Sequence, residues 1–129
     1  MLSRRLLLCF PAAAAAIADE RTEILEIVEP LASALSAGRA GDFMAAFADD
    51  MPDRSRLRDH IAALVAFGEM TSSVALVRVD AGRAELDWYL EIRARATGMV
   101  VDRRREKVTV RVSSGKITEL KPVDFFRLP

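Results

Sequence analysis

A single imidazole, His60, is the side chain best suited to proton transfer near neutral pH. It lies one turn from both Leu57 and Leu64, at the border of an apolar stripe with helical spacing. There it could act as a general base or as a polar anchor in a pocket. The simpler reading is a partly buried histidine hydrogen-bonded to a neighbouring backbone group or carboxylate. Arg56, on the same stretch, would be the cation beside it. One histidine is no basis for a metal centre. Asp49, Asp50 and Asp53 do not follow the spacing of a calcium-binding loop and read as helix caps. No cofactor is implied.

Three further groups have the right residue types for chemistry. Asp87, Tyr89 and Glu91 stand at two-residue intervals, and paired carboxylates do acid–base work when their face lines a cavity. Here that face is opposite the apolar one, so cross-strand pairing with Arg103, Arg105, Lys107 or Arg111 is the simpler account. The run Asp102-Arg103-Arg104-Arg105-Glu106-Lys107 is dense in cations. However, two acids dilute it and no aromatic residues are interleaved for base stacking, so it reads as a solvated hairpin and not as a nucleic-acid surface. Trp88, the only tryptophan, falls in the middle of an apolar strand face. It is either the central core residue or the floor of an apolar pocket with Phe67 or Phe43 as a wall. The chain has no Gly-x-Ser-x-Gly, no Ser-x-x-Lys and no glycine-rich phosphate loop.

The elements that must position these groups follow from periodicity. Ile24, Ile27, Val28, Leu31 and Leu35 form one stripe of a helix from about Asp19 to Ala37, with Asp19 as its cap and Pro30 inside it. A short second helix carries Phe43 and Phe47 one turn apart. Asp53 caps a third, which shows Leu57, Ile61, Leu64 and Val65 on one face and ends at Gly68. From Thr71 the period becomes two. In Ala84 to Ala94 every even position is apolar, and every odd position but Tyr89 is charged, which is the pattern of an antiparallel strand wet on one face. Ser73–Asp80 precedes it across Ala81-Gly82. Lys107–Ser113 and Lys116–Phe126 follow, joined at Ser114-Gly115. Helices first and strands after mean α+β: three N-terminal helices packed on one face of an antiparallel sheet of about four strands.

Gly41-Asp42-Phe43 at the start of the second helix, the strand Glu85–Arg93 and the closing Pro122-Val123-Asp124-Phe125-Phe126 resemble the nuclear-transport-factor-2-like superfamily, which includes ketosteroid-isomerase-like proteins. The resemblance spans about Glu20 to Phe126 and is nearest to small exported bacterial members of unassigned activity. It implies a curved antiparallel sheet wrapped round the three helices, a cone-like, cystatin-like roll. The family's isomerases use a carboxylate base with a tyrosine and a protonated acid as oxyanion hole. Their tyrosine comes from the first helix, where this chain has none, so no catalytic residue carries over.

The N-terminus bounds the compartment. Arg4 and Arg5 precede the apolar run Leu6–Ile17, and Ala16-Ile17-Ala18 offers small residues to a signal peptidase before Asp19-Glu20. Residues 1–18 therefore read as a signal segment, cleaved or retained as an anchor, by the Sec or the twin-arginine route. The protein is then exported, periplasmic or extracellular, and residues 19–129 form one domain. The sole cysteine, Cys9, lies in the signal, so the domain can form no disulfide. Basic and acidic residues number 19 each, so no global field draws the chain to nucleic acid or to a membrane beyond the signal. The expectation is a non-catalytic domain that binds a small apolar molecule or a protein partner, a second copy through the outer sheet face included. The alternative is a small isomerase- or hydrolase-like enzyme using His60, with Arg56, Trp88, Phe67 and Phe43 as the other pocket candidates.

Overall fold

The computed structural model describes residues 2–129, with side chains from residue 18 onward; the side chains of residues 1–17, Cys9 included, where the signal segment is expected, lie outside the described residues. Helix α1 (Leu2–Ser36) is continuous, so Asp19 is interior to it and caps nothing, and the helix passes through Pro30 without a break. The alanine-rich run upstream of Asp19 is itself a strong helix former, which is why the acid does not mark a start. Among the described residues no helix is long and apolar enough to cross a membrane.

The expected stripe of α1 packs inward, with Ile24, Val28, Leu31 and Leu35 all buried. Both ends of this segment are pinned along the first strand. The Gly82 amide donates to Glu20 at 2.6 Å, and the Ser36 hydroxyl meets the Ser72 amide at 2.9 Å. Gly38, with φ +71°, closes the helix in the paired pattern that only a left-handed residue allows: Gly38 N–H donates to Leu35 and Arg39 N–H to Ala34.

Helix α2 (Ala40–Met44) is one turn long and ends before Phe47. Phe47 instead makes an isolated parallel bridge to Ile117, so Phe43 and Phe47 do not share a helix, although both are buried. Helix α3 (Arg54–Phe67) buries Leu57, Ile61 and Leu64, as its spacing predicts. Asp53 occupies the cap position with φ +61°, but its side chain makes no capping bond and lies 3.8 Å from Arg56.

Four antiparallel strands follow in the order β1 (Gly68–Asp80), β2 (Arg83–Ala94), β3 (Val100–Ser113) and β4 (Lys116–Lys121). β1 starts directly at the end of α3, five residues before the predicted start at Ser73. Ala81-Gly82 and Ser114-Gly115 both have positive φ, which is what two-residue hairpin turns require. Register shifts at Leu76/Arg78, Ile92/Arg93 and Arg111/Val112 add local twist, and the sheet curves round the helices. β3 begins seven residues earlier than its apolar alternation suggests, so the cationic run is the body of a central strand and not a solvated hairpin. The chain closes on a 3-10 turn, η1 (Val123–Phe126), where a continuation of the last strand is expected from sequence.

Candidate functional site

On the concave side of the sheet the alternating residues Leu86, Trp88, Leu90 and Ile92 of β2 are all sealed from solvent. Trp88 is central, and its indole N–H donates to the Ser72 hydroxyl at 2.8 Å, so the ring's one polar atom is satisfied. The Phe126 ring meets Trp88 edge-on, with centroids 5.2 Å apart, and it also touches Phe43 at 5.6 Å and Phe125 at 5.1 Å. Phe43 continues to Phe47 at 5.4 Å. The cone is therefore filled by aromatic rings, two of which come from the last turn of the chain.

Polar contacts hold that turn on both sides. From α3, His60 Nε2 lies 3.0 Å from Asp124 Oδ1 and Arg56 Nε lies 3.4 Å from the same oxygen. A carboxylate can only accept, so Nε2 carries the proton in this contact. From β3, Arg104 donates through Nη1 to the Phe125 carbonyl at 2.6 Å and through Nε to Asp102 at 2.7 Å. On the opposite, convex face the acids of β2 pair with the bases of β3: Asp87 with Arg105 at 2.6 Å, Glu91 with Arg103 at 3.0 Å and Glu85 with Lys107 at 3.8 Å. This is the cross-strand ladder that the sequence spacing indicates. Hydrogen bonding from Arg105 holds the Asp87 carboxyl below its ordinary range.

No protein-family model matches the chain, and no curated protein matches it. Solved structures do. The Δ5-3-ketosteroid isomerase of Mycobacterium sp. superposes with a TM-score of 0.64 at 18% identity, over 76% of this chain and 89% of that one. A Mycobacterium tuberculosis protein in complex with estradiol-17β-hemisuccinate gives 0.63 at 16%, over 76% and 90%. A Catenulispora acidiphila protein with a ketosteroid isomerase-like fold, in complex with trimethylamine, gives 0.61 at 15%, over 74% and 82%. The fold is nuclear-transport-factor-2-like.

Within this nuclear-transport-factor-2-like cone the five candidate residues fall into separate places. Trp88 and Phe43 belong to the sealed interior and are joined through Phe126. His60, 23% exposed, and the more open Arg56 stand on the outer side of the closing turn and are joined through Asp124. Phe67 is half-buried at the far end of α3 and touches neither group's polar contacts; its carbonyl accepts from the Arg95 amide. Asp124 and Phe126, two residues apart, are what links the outer pair to the inner one. Open clefts lie elsewhere: one of about 310 Å³ beside Ser36, Gly38, Glu69, Arg93 and Arg95, and one of about 460 Å³ beside Phe47, Arg54 and Lys116. Neither includes any of the five. Among the described residues no three His, Cys, Asp or Glu side chains converge as metal ligands would.

The site residues not singled out from sequence are Arg104, Asp124, Phe125 and Phe126. Arg104 faces Leu90 in register, so it shares the concave face with the core although it sits in the cationic run. Counting back by twos from Val108 reaches it.

The outer pair has a measurable signature. The hydrogen bond from His60 is the largest influence on the Asp124 carboxyl and lowers its pKa; partial burial opposes this, and the charges of Arg56, His60 and Arg127 add to the lowering. A depressed carboxylate contributes stability above its unfolded pKa of about 4, and that contribution is lost as pH falls through the lower folded value. Carbon-detected NMR titration should therefore find Asp124 ionising at lower pH than an unperturbed aspartate. In His60→Ala its midpoint should move back up. An unchanged midpoint in that variant would show that the contact does not persist in solution.

Proposed function

We propose that this chain is an exported, non-catalytic binding domain whose cone takes a small apolar molecule. The observation that carries this reading is the aromatic interior stoppered by the chain's own last turn: Phe125 and Phe126 complete a space otherwise walled by Trp88, Phe43 and Leu90. Another apolar body of like size could take the turn's place with little net loss of buried area, provided it makes good the ring contacts that the turn gives up. The molecules in complex with two structural neighbours, estradiol-17β-hemisuccinate and trimethylamine, support a small-molecule occupant. The N-terminal pattern of Arg4-Arg5, an apolar run and Ala16-Ile17-Ala18 supports export. Against an enzyme, His60 lies across the closing turn from Trp88, and its ring meets a carboxylate and no hydroxyl nucleophile.

The test uses Trp88 as sole reporter, titrating the purified chain with naphthalene, cyclohexanol and a steroid. The expected result is a saturable change in Trp88 emission that persists in His60→Ala. Emission and calorimetric heat that no probe moves would refute a ligand-binding cone. Binding that vanishes in His60→Ala would revive the enzyme reading.

A further inference from the structure

Arg104 is 9% exposed, on the concave side of β3. Its guanidinium is a planar fork of five N–H donors, and a buried donor without an acceptor costs free energy. Asp102, two residues away on the same face, satisfies Nε. The outer edge of the fork, Nη1 and Nη2, is where a carboxylate binds through two parallel hydrogen bonds. Here that edge meets one neutral oxygen, the Phe125 carbonyl, which takes Nη1 only. Nη2 is buried and has no partner. The group that half-fills this edge belongs to the same turn whose rings fill the cone. Seen from the cone, that turn presents an aromatic body with an oxygen at one end.

We propose that Val123–Phe126 is a resident stand-in for a ligand of the same layout: a flat apolar body bearing a carboxylate, which docks on Nη1 and Nη2 of Arg104 once the turn has moved aside. This rests on the reading of the cone as a ligand site and adds the ligand's chemical class. The charged groups at the turn nearly balance, with Arg56, Arg104 and Arg127 set against Asp102 and Asp124. Recognition would therefore come from the geometry of the fork and not from a general positive field. The carbonyl of Phe125 offers one acceptor where a carboxylate offers two oxygens, so the exchange satisfies the Nη2 donor that the closed state leaves bare.

The experiment compares 2-naphthoate with 2-naphthamide, equal in shape and differing in charge, by calorimetry on the full chain at neutral pH. The acid should bind about tenfold more tightly, the order expected of a charge-assisted bidentate contact over a neutral one. Arg104→Gln should abolish that preference while both compounds still bind. Arg104→Lys, which keeps the charge without the fork, should retain only part of it and serves if the glutamine variant does not fold. Amide exchange at Phe125 and Arg127 should quicken as naphthoate saturates. Equal affinity for acid and amide, a preference that survives in both variants, or unchanged exchange in the last turn would each overturn the carboxylate proposal and leave a cone that binds apolar molecules. Binding of neither compound would overturn both readings.

Discussion

Replacing Gly68 with alanine should destabilise the chain by more than about 4 kcal/mol, at the extreme end of single-substitution effects. Gly68 ends α3 and begins β1 with no loop between them, so the helix terminus lies directly on the end of β2. A Cβ there would land on the Arg93 carbonyl oxygen, and the carbonyl carbon would be 2.9 Å away. Both are backbone atoms of the neighbouring strand and cannot swing aside as a flexible side chain could. Arg95 compounds the cost. Its guanidinium donates to the carbonyls of Val65, Ala66 and Gly68 at 3.1, 2.9 and 3.0 Å, completing a cap to which the Gly68 and Arg95 amides add bonds to Leu64 and Phe67. Moving Gly68 away from Arg93 pulls that cap apart. Gly41 is the control. It lies in α2 with nothing within 4 Å of a Cβ, so alanine there should be neutral or stabilising by up to about 1 kcal/mol. Urea denaturation followed by Trp88 emission and circular dichroism measures both. A Gly68→Ala variant within 1 kcal/mol of the parent would mean that the helix–strand junction is far looser than its close contacts indicate.

The same junction shows what could be read from the sequence and what could not. β2 was legible at every position because one face is uniformly apolar and the other uniformly polar, the one case in which period two appears in hydropathy alone. The first half of β3 was not. Asp102, Arg104 and Glu106 face the concave side while Arg103 and Arg105 face outward, so charge occupies both faces and the alternation vanishes. The hidden information was the length of β2, whose backbone donors and acceptors need a partner as long as itself. The end of the chain misled for a different reason. Adjacent apolar residues such as Phe125-Phe126 suit a strand buried on both faces, but a 3-10 turn also sends both rings into the same core. Phe47 gave no local signal at all, because its bridge to Ile117 spans most of the domain. At the candidate site, a carboxylate partner for His60 was foreseeable as a type. Asp124, 64 residues further along the chain, was not foreseeable as an identity.

Phe126→Ala should lower stability by about 3–5 kcal/mol, the range for truncating a buried aromatic ring. The ring is fully buried and touches Trp88, Phe43 and Phe125, so three edge-on aromatic contacts go with it. Such pairs contribute roughly 0.5–1.5 kcal/mol each beyond the area they bury. The cavity left would be apolar, and apolar cavities of that kind stay dry and admit small aromatic molecules. Toluene at about a hundred times its dissociation constant should therefore restore about 2.7 kcal/mol to the variant and nothing comparable to the parent. This bears directly on the cone as a binding site. If a ligand enters the cone as proposed, its apparent affinity for the parent chain is reduced by the fraction of molecules in which the closing turn is open. Its own rings must make good the contacts that Phe125 and Phe126 give up. In Phe126→Ala part of that cost is removed, so apolar probes should bind more tightly to the variant even as the fold becomes weaker. A cavity left by any core ring gives that same pair of changes, so the deciding comparison is the parent. Saturable binding of naphthalene to the parent chain as well as to the variant is a result that a purely structural role for Phe126 does not produce. If the variant binds naphthalene and the parent does not, the last turn is ordinary core, and the search for this protein's partner should move to the charged convex face.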